Sequence, residues 1–279
     1  MPDLAILASY AHPDDEQGVT GTLRLCLDNG IRAAILCATR GEAGEIADPQ
    51  LATPETLGEV RERELRQAAA VIGVHEVFFL GYRDSGMDST PENKDPRAFV
   101  NADQDEAVGR IVAVIRDFRP TVIVTFDESG AYGHPDHVAI HHLTVKAFHA
   151  AGDATRYPAA GPAFQPGRLF VSSIPRSVRR IMVDFLQKAG VDSFFSRIPP
   201  EKFGLPDEMI THRVDVARYV SLKKRSLGAH RTQFNPNAPF AKLPPEISDR
   251  WRSVESFALV AGDPPPPGAD PGDLFAGLR

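Results

Sequence analysis

Two short segments of the chain carry side chains that can bind a metal ion and transfer protons. The first is Ala11–Glu16, which contains His12, Asp14 and Asp15. Imidazole and carboxylate groups are ligands of Zn²⁺, and catalytic zinc sites use three protein ligands and leave one position for water. At a strand-to-helix junction, His12 and Asp15 are three residues apart and can face the same side of one helical turn. Asp14 would then stay off the metal, free to take a proton.

A simpler interpretation of this segment is that its acids only stabilise the start of a helix. Asp14, Asp15 and Glu16 would lie near the positive end of the helix dipole, where carboxylates are favoured. Taken alone, the segment supports this interpretation as well as it supports a metal site.

The second segment, His134–His137, favours the metal site. It has a histidine, a proline suited to the first turn of a helix, an acid and a second histidine. His137 would complete a ligand set with His12 and Asp15. His141 lies one helical turn after His137 and is an alternative third ligand.

These segments can meet only if the fold brings their flanking strands together. The first half of the chain alternates apolar runs with helical patterns, which predicts strands at Leu4–Ser9, Ile31–Ala38, Glu76–Leu80 and Thr121–Phe126 and helices at Gln17–Asn29, Glu55–Ile72, Gln104–Phe118 and Pro135–Ala150. This alternation is typical of an α/β, Rossmann-like fold whose mostly parallel sheet has helices on both faces. In such sheets, ligands bind beyond the carboxyl ends of the strands. Polar loops follow all four predicted strands, so we expect their side chains to converge on one rim.

The second half of the chain is less regular. Its patterns predict strands at Arg168–Ile174 and Ile210–Val216, helices at Ser177–Ala189 and Ala217–Gln233, and a loop at Ala151–Gly167. A further loop is predicted at Asp192–Pro206, where Phe194 and Phe195 would cap something apolar or pack on the core. Prolines, glycines and aspartates dominate from Gly262 onward and predict an extended or disordered tail.

We expect these parts to form one domain over residues 1–279. Its motif-bearing core would lie at 1–150, a part that completes and caps the site at 151–261, and a Pro-rich tail at 262–279.

The composition bounds the class of protein. The 279 residues carry a net charge of −6 at pH 7 and are 42% hydrophobic, which fits a globular protein and argues against a nucleic-acid partner. The densest basic runs, Arg176–Arg180 and Lys223–Arg225, are interpreted as solvated helix faces. No stretch approaches 18 consecutive apolar residues, so we expect no membrane partner. Cys26 and Cys37 are expected to be buried, reduced thiols, and a cytoplasmic enzyme is the default expectation.

The sequence resembles the PIG-L/LmbE-like deacetylases. The resemblance rests on Ala11–Glu16 and Gly130–His137, extends to Thr39–Gly44, Arg61–Leu65 and Ala229–Gln233, and finds no motif in residues 151–210. It implies a Rossmann-like fold and the hydrolysis of N-acetyl groups, mostly on N-acetylglucosamine conjugates, with a divalent metal. Zn²⁺ is the expected cofactor, and Fe²⁺ suits the same ligands. The segment Gly81–Met87, with Asp84, is most similar to the mycothiol and bacillithiol-pathway branch of the family.

The resemblance also implies roles for individual side chains. It assigns the metal to His12, Asp15 and His137, catalysis to Asp14, Tyr132, His134 and Asp136, and substrate binding to Glu42, Arg61 and Asp84. Asp14 would be the general base, and Tyr132 or His134 would stabilise the oxyanion. His134 could also protonate the leaving amine, and Asp136 would orient a neighbouring imidazole.

Two other functions stay open at this point. An amidase that cleaves thiol–sugar conjugates would use the same metal chemistry and differ only in the pocket built by the second half. A non-catalytic sugar- or nucleotide-binding Rossmann module is less consistent, because Gly18–Gly21 is too sparse in glycine to cradle a pyrophosphate. The expected substrate is a small amino-sugar conjugate, and the resemblance leaves a homo-oligomer open.

Overall fold

A computed structural model describes residues 3–188, 190, 198–199, 203–234 and 244–278 of the chain. Within these residues the strands are β1 Ala5–Tyr10, β2 Arg32–Thr39, β3 Glu76–Tyr82, β4 Val122–Phe126, β5 Arg168–Ser172, β6 His212–Asp215 and β7 Val254–Gly262. The helices are α1 Thr20–Asp28, α2 Leu57–Ile72, α3 Gln104–Phe118, α4 Pro135–Ala151, α5 Arg176–Lys188, α6 Val220–Leu227 and α7 Pro245–Arg252. Phe194 and Phe195, expected to cap an apolar surface, lie outside the described residues.

The strands form a single mixed sheet in the order β3-β2-β1-β4-β5-β7-β6. Strands β1 to β5 pair in parallel, and β7 runs antiparallel to both β5 and β6. The predicted Rossmann-like α/β class is therefore confirmed. The strand order reverses between β1 and β4, so the loops that follow these two strands open a crevice between them, where ligands bind in this type of sheet.

Burial explains why the central strands are apolar along their whole length. Every residue of β1 and β4 is buried, as expected when helices cover both faces of a sheet. Helices α1, α2 and α6 pack together, and α3 packs against α4. These layers fix the carboxyl ends of β1 and β4 side by side.

Several predicted elements differ from the observed ones. A 3₁₀ turn occupies Asp15–Gly18, so α1 starts at Thr20 rather than at Gln17. The helix predicted over Ala217–Gln233 is wrong at both ends, because α6 covers only Val220–Leu227. Strand β7 lies where the periodicity predicts no element, and it inserts between β5 and β6.

The tail beyond Gly262 forms no helix or strand among the described residues, as an extended tail would, but its end is not disordered. Leu274 and Phe275 are buried in the core. The Arg168 guanidinium, itself buried, donates hydrogen bonds to the carbonyls of Leu274 and Ala276 at 3.0 and 2.7 Å. The tail is therefore anchored by one arginine and by its own apolar side chains.

Both basic runs were expected to be solvated helix faces, but each contains a buried side chain. Arg179 and Lys223 are both buried, and the Lys223 ammonium pairs with Glu255. Cys26 and Cys37 are free and buried, as predicted. Among the helices of the described segments, none has the length and apolar character needed to cross a membrane.

Candidate metal centre

The two predicted segments meet at the carboxyl ends of β1 and β4. Three nitrogen and oxygen ligand positions lie close together there: the Nδ1 atom of His12 is 3.1 Å from Nε2 of His137 and 3.5 Å from Oδ2 of Asp15. Oδ1 of Asp15 is 3.3 Å from Nε2 of His137. Ligands about 2.0–2.1 Å from a tetrahedral zinc lie roughly 3.4 Å apart, so these distances fit such an ion.

Hydrogen bonds on the far side of each imidazole leave the correct nitrogen for a metal. Nε2 of His12 lies 3.1 Å from Oδ2 of Asp136, and Nδ1 of His137 lies 3.2 Å from the carbonyl of Gly130. Because both partners only accept hydrogen bonds, these nitrogens carry the protons. The lone pairs of His12 Nδ1 and His137 Nε2 then face each other and Asp15, which is the arrangement that metal-binding histidines adopt.

The loop between β4 and α4 approaches the start of α4 closely enough to require glycine. Gly130 has a φ of +64°, and a Cβ atom there would lie 2.8 Å from both the Cβ of His137 and the backbone nitrogen of Val138. The ring of His137 also stacks on the ring of Phe126, with 4.0 Å between centroids. The loop, β4 and α4 thus hold His137 in one orientation.

Asp15 is held as an anion. Its Oδ2 accepts hydrogen bonds from the backbone nitrogens of His12 and Ala11 at 2.7 and 3.2 Å. Burial would raise the pKa of Asp15, but the imidazoles of His137 and His12 outweigh burial and hold that pKa well below its usual range. A carboxylate that stays charged in a buried site attracts a cation.

Asp14 is in a different state from its neighbour. Its backbone has a φ of 109°, a left-handed conformation that few non-glycine residues adopt. Burial, and then the charge of Asp15, raise the pKa of Asp14 to about 8. Within the described part of the chain, its carboxylate receives no hydrogen bond, whereas its backbone N–H donates to Oε2 of Glu16 at 3.1 Å. A carboxylate with a raised pKa beside a metal site is suited to accept a proton.

His134 is placed as a neutral hydrogen-bond donor. Burial, and then the nearby His12 and His137, lower its pKa to about 4. Its Nδ1 accepts the backbone N–H of Asp136 at 3.2 Å, so the proton of the neutral ring is on Nε2. The ring of Tyr132 lies edge-on to both His134 and His137, at centroid distances of 6.2 and 5.1 Å. Burial raises the pKa of Tyr132, which keeps its hydroxyl protonated.

Asp136 and Asp84 surround the opposite edge of the His12 ring. Oδ1 of Asp84 lies 3.5 Å from Nε2 of His12, and Oδ2 of Asp136 also accepts the backbone N–H of Ser85 at 2.9 Å. Burial would lower the pKa of His12, but Asp84, Asp136 and Asp15 raise it well above its usual value, so a metal ion that binds Nδ1 would have to displace a proton from that nitrogen. His12 also groups with His134 and His137, and with Asp84 and Asp136, at spacings a metal ion could bridge. Asp84 and Asp136 lie against the protonated nitrogen of His12, and Nδ1 of His134 already accepts the backbone N–H of Asp136.

Glu42 and Arg61 contact the loops of the rim. Oε2 of Glu42 accepts the backbone N–H of Asp84 at 3.2 Å. The buried guanidinium of Arg61 donates to the carbonyls of Gly41 and Glu45, at 2.9 Å in each case. Both side chains therefore shape the loop that follows β2.

Two further histidines lie near the site without belonging to the proposed ligand set. His141, the alternative ligand, points its Nδ1 at the carbonyl of Phe126, 2.7 Å away, and lies outside the metal-spaced groups of the described residues. His230 was given no role from the sequence, yet its Nε2 lies 2.8 Å from Oε1 of Glu16 in the first segment. Only its place in the matched stretch Ala229–Gln233 could have signalled this contact.

The fold and this site together define a member of a known family of deacetylases. Residues 7–148 match the PIG-L family, described as GlcNAc-PI de-N-acetylase, and the chain belongs to that family. The predicted PIG-L/LmbE-like deacetylase class is therefore confirmed.

Relatives of nearly the same length carry a more specific name. A protein of Geodermatophilus obscurus named 1D-myo-inositol 2-acetamido-2-deoxy-alpha-D-glucopyranoside deacetylase is 38% identical, over 99% of this chain and 99% of its own. A protein of Thermobifida fusca with the same name is also 38% identical, over 99% of this chain and 100% of its own. The similarity thus extends well beyond the two motif segments.

Solved structures show the same fold at low sequence identity. N,N'-diacetylchitobiose deacetylase from Pyrococcus horikoshii superposes with a TM-score of 0.63 at 19% identity, over 92% of this chain and 83% of that one. The 4-carboxy-2-hydroxymuconate hydratase GalB from Pseudomonas putida superposes with a TM-score of 0.62 at 14% identity, over 95% and 100%. Because a hydratase and a deacetylase share the fold, the reaction must be argued from the site.

Proposed function

We propose that this chain removes the acetyl group from a small N-acetylglucosamine conjugate, with an N-acetylglucosaminyl-inositol as the leading substrate. The observation that carries the proposal is the convergence of His12, Asp15 and His137 around one point, with Asp14 next to Asp15 in the chain. The names of the relatives that match over the full chain support the substrate class.

The same three side chains are proposed to hold a divalent cation, Zn²⁺ or Fe²⁺. Two imidazole nitrogens and a carboxylate suit both ions. When bound, the ion supplies a Lewis acid that polarises the amide carbonyl and acidifies water. The chain itself must then move protons and stabilise developing charge.

Those steps are assigned to groups whose protonation states suit them. Asp14 takes the proton of the attacking water in its deprotonated form, whose share increases as pH rises toward its raised pKa of about 8. The Nε2–H of His134 and the hydroxyl of Tyr132 are both donors, and they stabilise the negative charge that develops on the acetyl carbonyl oxygen. The newly protonated Asp14 then returns that proton to the departing amine, because a neutral His134 has no second ring proton to give. Asp136 keeps the His12 imidazole in its metal-binding tautomer.

Arg61, Asp84 and Glu42 are proposed to act on the substrate side. Their hydrogen bonds go to the rim loops after β2 and β3. They therefore set the shape of the loops that would receive the sugar conjugate.

The broader assignments follow from the same evidence. We infer a single unit over residues 1–279, since β6 and β7 extend the sheet that carries the site. A cytoplasmic location is supported by the two free, buried cysteines. A homo-oligomer stays a prediction.

The test is an assay of acetate release from the N-acetylglucosaminyl-inositol by protein that has been stripped of metal and reloaded with Zn²⁺ or Fe²⁺. We expect turnover only in the reloaded samples, and about 10³-fold less of it in Asp14→Asn. An amidase would instead release the acylated cysteine from a thiol–sugar conjugate, so both products are measured. Absence of acetate release with either metal would contradict the proposal.

A further inference from the structure

A segment far along the chain contacts the site from the side of α2. It consists of the residues His230–Gln233, which we call the brace. His230 and Thr232 have no exposed surface, and the predicted helix has already ended at Leu227 before the brace begins. Because the brace is not helical, its backbone and side chains are free to bond to other elements.

The brace is anchored to two elements on its outer side. The carboxylate of Glu64, on α2, accepts hydrogen bonds from the backbone N–H and the hydroxyl of Thr232 at 2.9 and 2.6 Å. The carbonyl of Thr232 accepts the backbone N–H of Ala47 at 2.9 Å. Glu64 is itself buried, so the brace is fixed to the helical layer.

On its inner side the brace holds the loop after β1. The Gln233 amide donates to the carbonyl of Pro13 at 2.7 Å. Nε2 of His230 donates to Oε1 of Glu16 at 2.8 Å, and the amide of Gln17 donates to the same oxygen at 2.6 Å. The other carboxylate oxygen, Oε2, accepts the backbone N–H of Asp14. Both oxygens of a fully buried carboxylate are therefore used.

We propose that Glu16 and His230 are positioning residues that hold the Asp14 peptide in its left-handed conformation. A non-glycine residue in that region costs about 1–3 kcal/mol and persists only where its surroundings enforce it. The hydrogen bond from Asp14 N–H to Glu16 supplies this enforcement, and His230 fixes the carboxylate that accepts it. The proposal rests on the proposed role of Asp14 as base, since the backbone conformation of a residue sets the direction in which its side chain leaves the chain.

The expected consequence is a loss of turnover without a loss of metal. Without Glu16 the Asp14 peptide relaxes to an ordinary φ and its carboxylate moves, and a displacement of about 1 Å can lower a rate by on the order of 10²-fold. We expect Glu16→Ala to lower kcat by about 10²-fold and to leave KM within about threefold. We expect His230→Ala to lower kcat by about tenfold, and His230→Gln, which keeps a donor at the same place, to restore most of it.

Three measurements separate positioning from general damage to the fold. Metal content and unfolding midpoint are determined for every variant, and Glu255→Gln, a buried glutamate outside the site, serves as the matched control. Glu255→Gln should lose stability but keep its kcat per folded molecule. A crystal structure of Glu16→Ala gives the φ of Asp14 directly, and we expect it to leave the left-handed region.

The inference is overturned if Asp14 keeps its φ in that structure, or if kcat of Glu16→Ala falls no further than that of the control. If Glu16→Ala does not fold, the pair His230→Ala and His230→Gln decides, and equal turnover in the two overturns it. Failure of the proposed function is distinct: wild-type protein would then release no acetate, and the conformation of Asp14 in the variant would still test the positioning.

Discussion

The rim beyond β1 and β4 and the region where α1, α6 and β7 meet both contain buried acidic side chains, but their surroundings are opposite. Glu255, on β7, accepts the backbone N–H groups of Gly21 and Thr22 at 2.9 and 2.7 Å and the Thr22 hydroxyl at 2.6 Å. It also pairs with the Lys223 ammonium. Asp14 has a strained backbone and, among the described residues, no donor to its carboxylate. The carboxylate of Glu255, with its hydrogen-bond donors and its ammonium partner, stabilises the fold. The carboxylate of Asp14, without such donors in the described part of the chain, is proposed to accept a proton in the reaction.

The largest effect should come from removing the carboxylate of Asp14. Asp14→Asn preserves size but cannot take a proton, so kcat should fall by about 10³-fold, within the range for a general base. Metal content should stay at the wild-type level, because Asp14 is not among the proposed ligands. Steady-state acetate release and elemental analysis measure the two quantities. Wild-type turnover in this variant would remove Asp14 from the mechanism.

The carboxylate of Glu255, which accepts several hydrogen bonds, should show the reverse pattern. Glu255→Gln leaves the Lys223 charge buried without its partner, and we expect it to cost about 3–5 kcal/mol in the free energy of unfolding. Turnover per folded molecule should be unchanged. Urea unfolding measures the loss, and the double variant with Lys223→Met should recover part of it, since no charge is then left unpaired. A stability equal to wild type would show that the pair contributes nothing.

The same comparison explains how much the sequence could predict. The rim could be predicted because its side chains lie in two short segments, each directly after an apolar strand. The carboxyl ends of parallel strands lie on the same edge of the sheet. His12, Asp14, Asp15 and His137 needed only that rule and their ligand types. The strand order, which puts β1 beside β4, does not follow from that alternation alone, because doubly wound sheets also occur with β1 beside the third strand.

The supporting contacts could not be predicted in this way. His230 meets Glu16, and Glu255 meets the start of α1, across more than 200 residues of sequence, so no local pattern signals them. The helical pattern of Ala217–Gln233 continues past Leu227, but the bonds that the brace makes with Glu64 and Glu16 outweigh helix propensity. The packing of the tail could not be predicted for a related reason. Its many prolines, glycines and aspartates outnumber the apolar side chains, such as Leu274 and Phe275, that pack on the core.

The smallest predicted effect concerns two histidines, one at the rim and one on β6, whose pKa values are both lowered. Burial lowers the pKa of both His134 and His212. His134 lies at the rim, whereas His212 lies on β6 with its ring edge against Phe170, and its Nε2 has no partner among the described residues. A lowered pKa therefore does not identify an active-site histidine by itself.

His212 should instead make stability depend on pH. Because its pKa is lower in the folded state than in the unfolded state, the unfolded chain takes up a proton first as pH falls below about 6.5. The free energy of unfolding is therefore retained above that pH and lost below it, by at most about 1.4 kcal/mol per pH unit for one group. In His212→Phe this contribution is absent. The free energy of unfolding of the variant, relative to that of the wild type, should therefore increase from pH 7 to pH 5. Urea titrations across that range measure it, and parallel curves would mean that His212 is protonated equally in both states. Turnover of His212→Phe at pH 7 should match wild type, which separates this histidine from His134 at the rim.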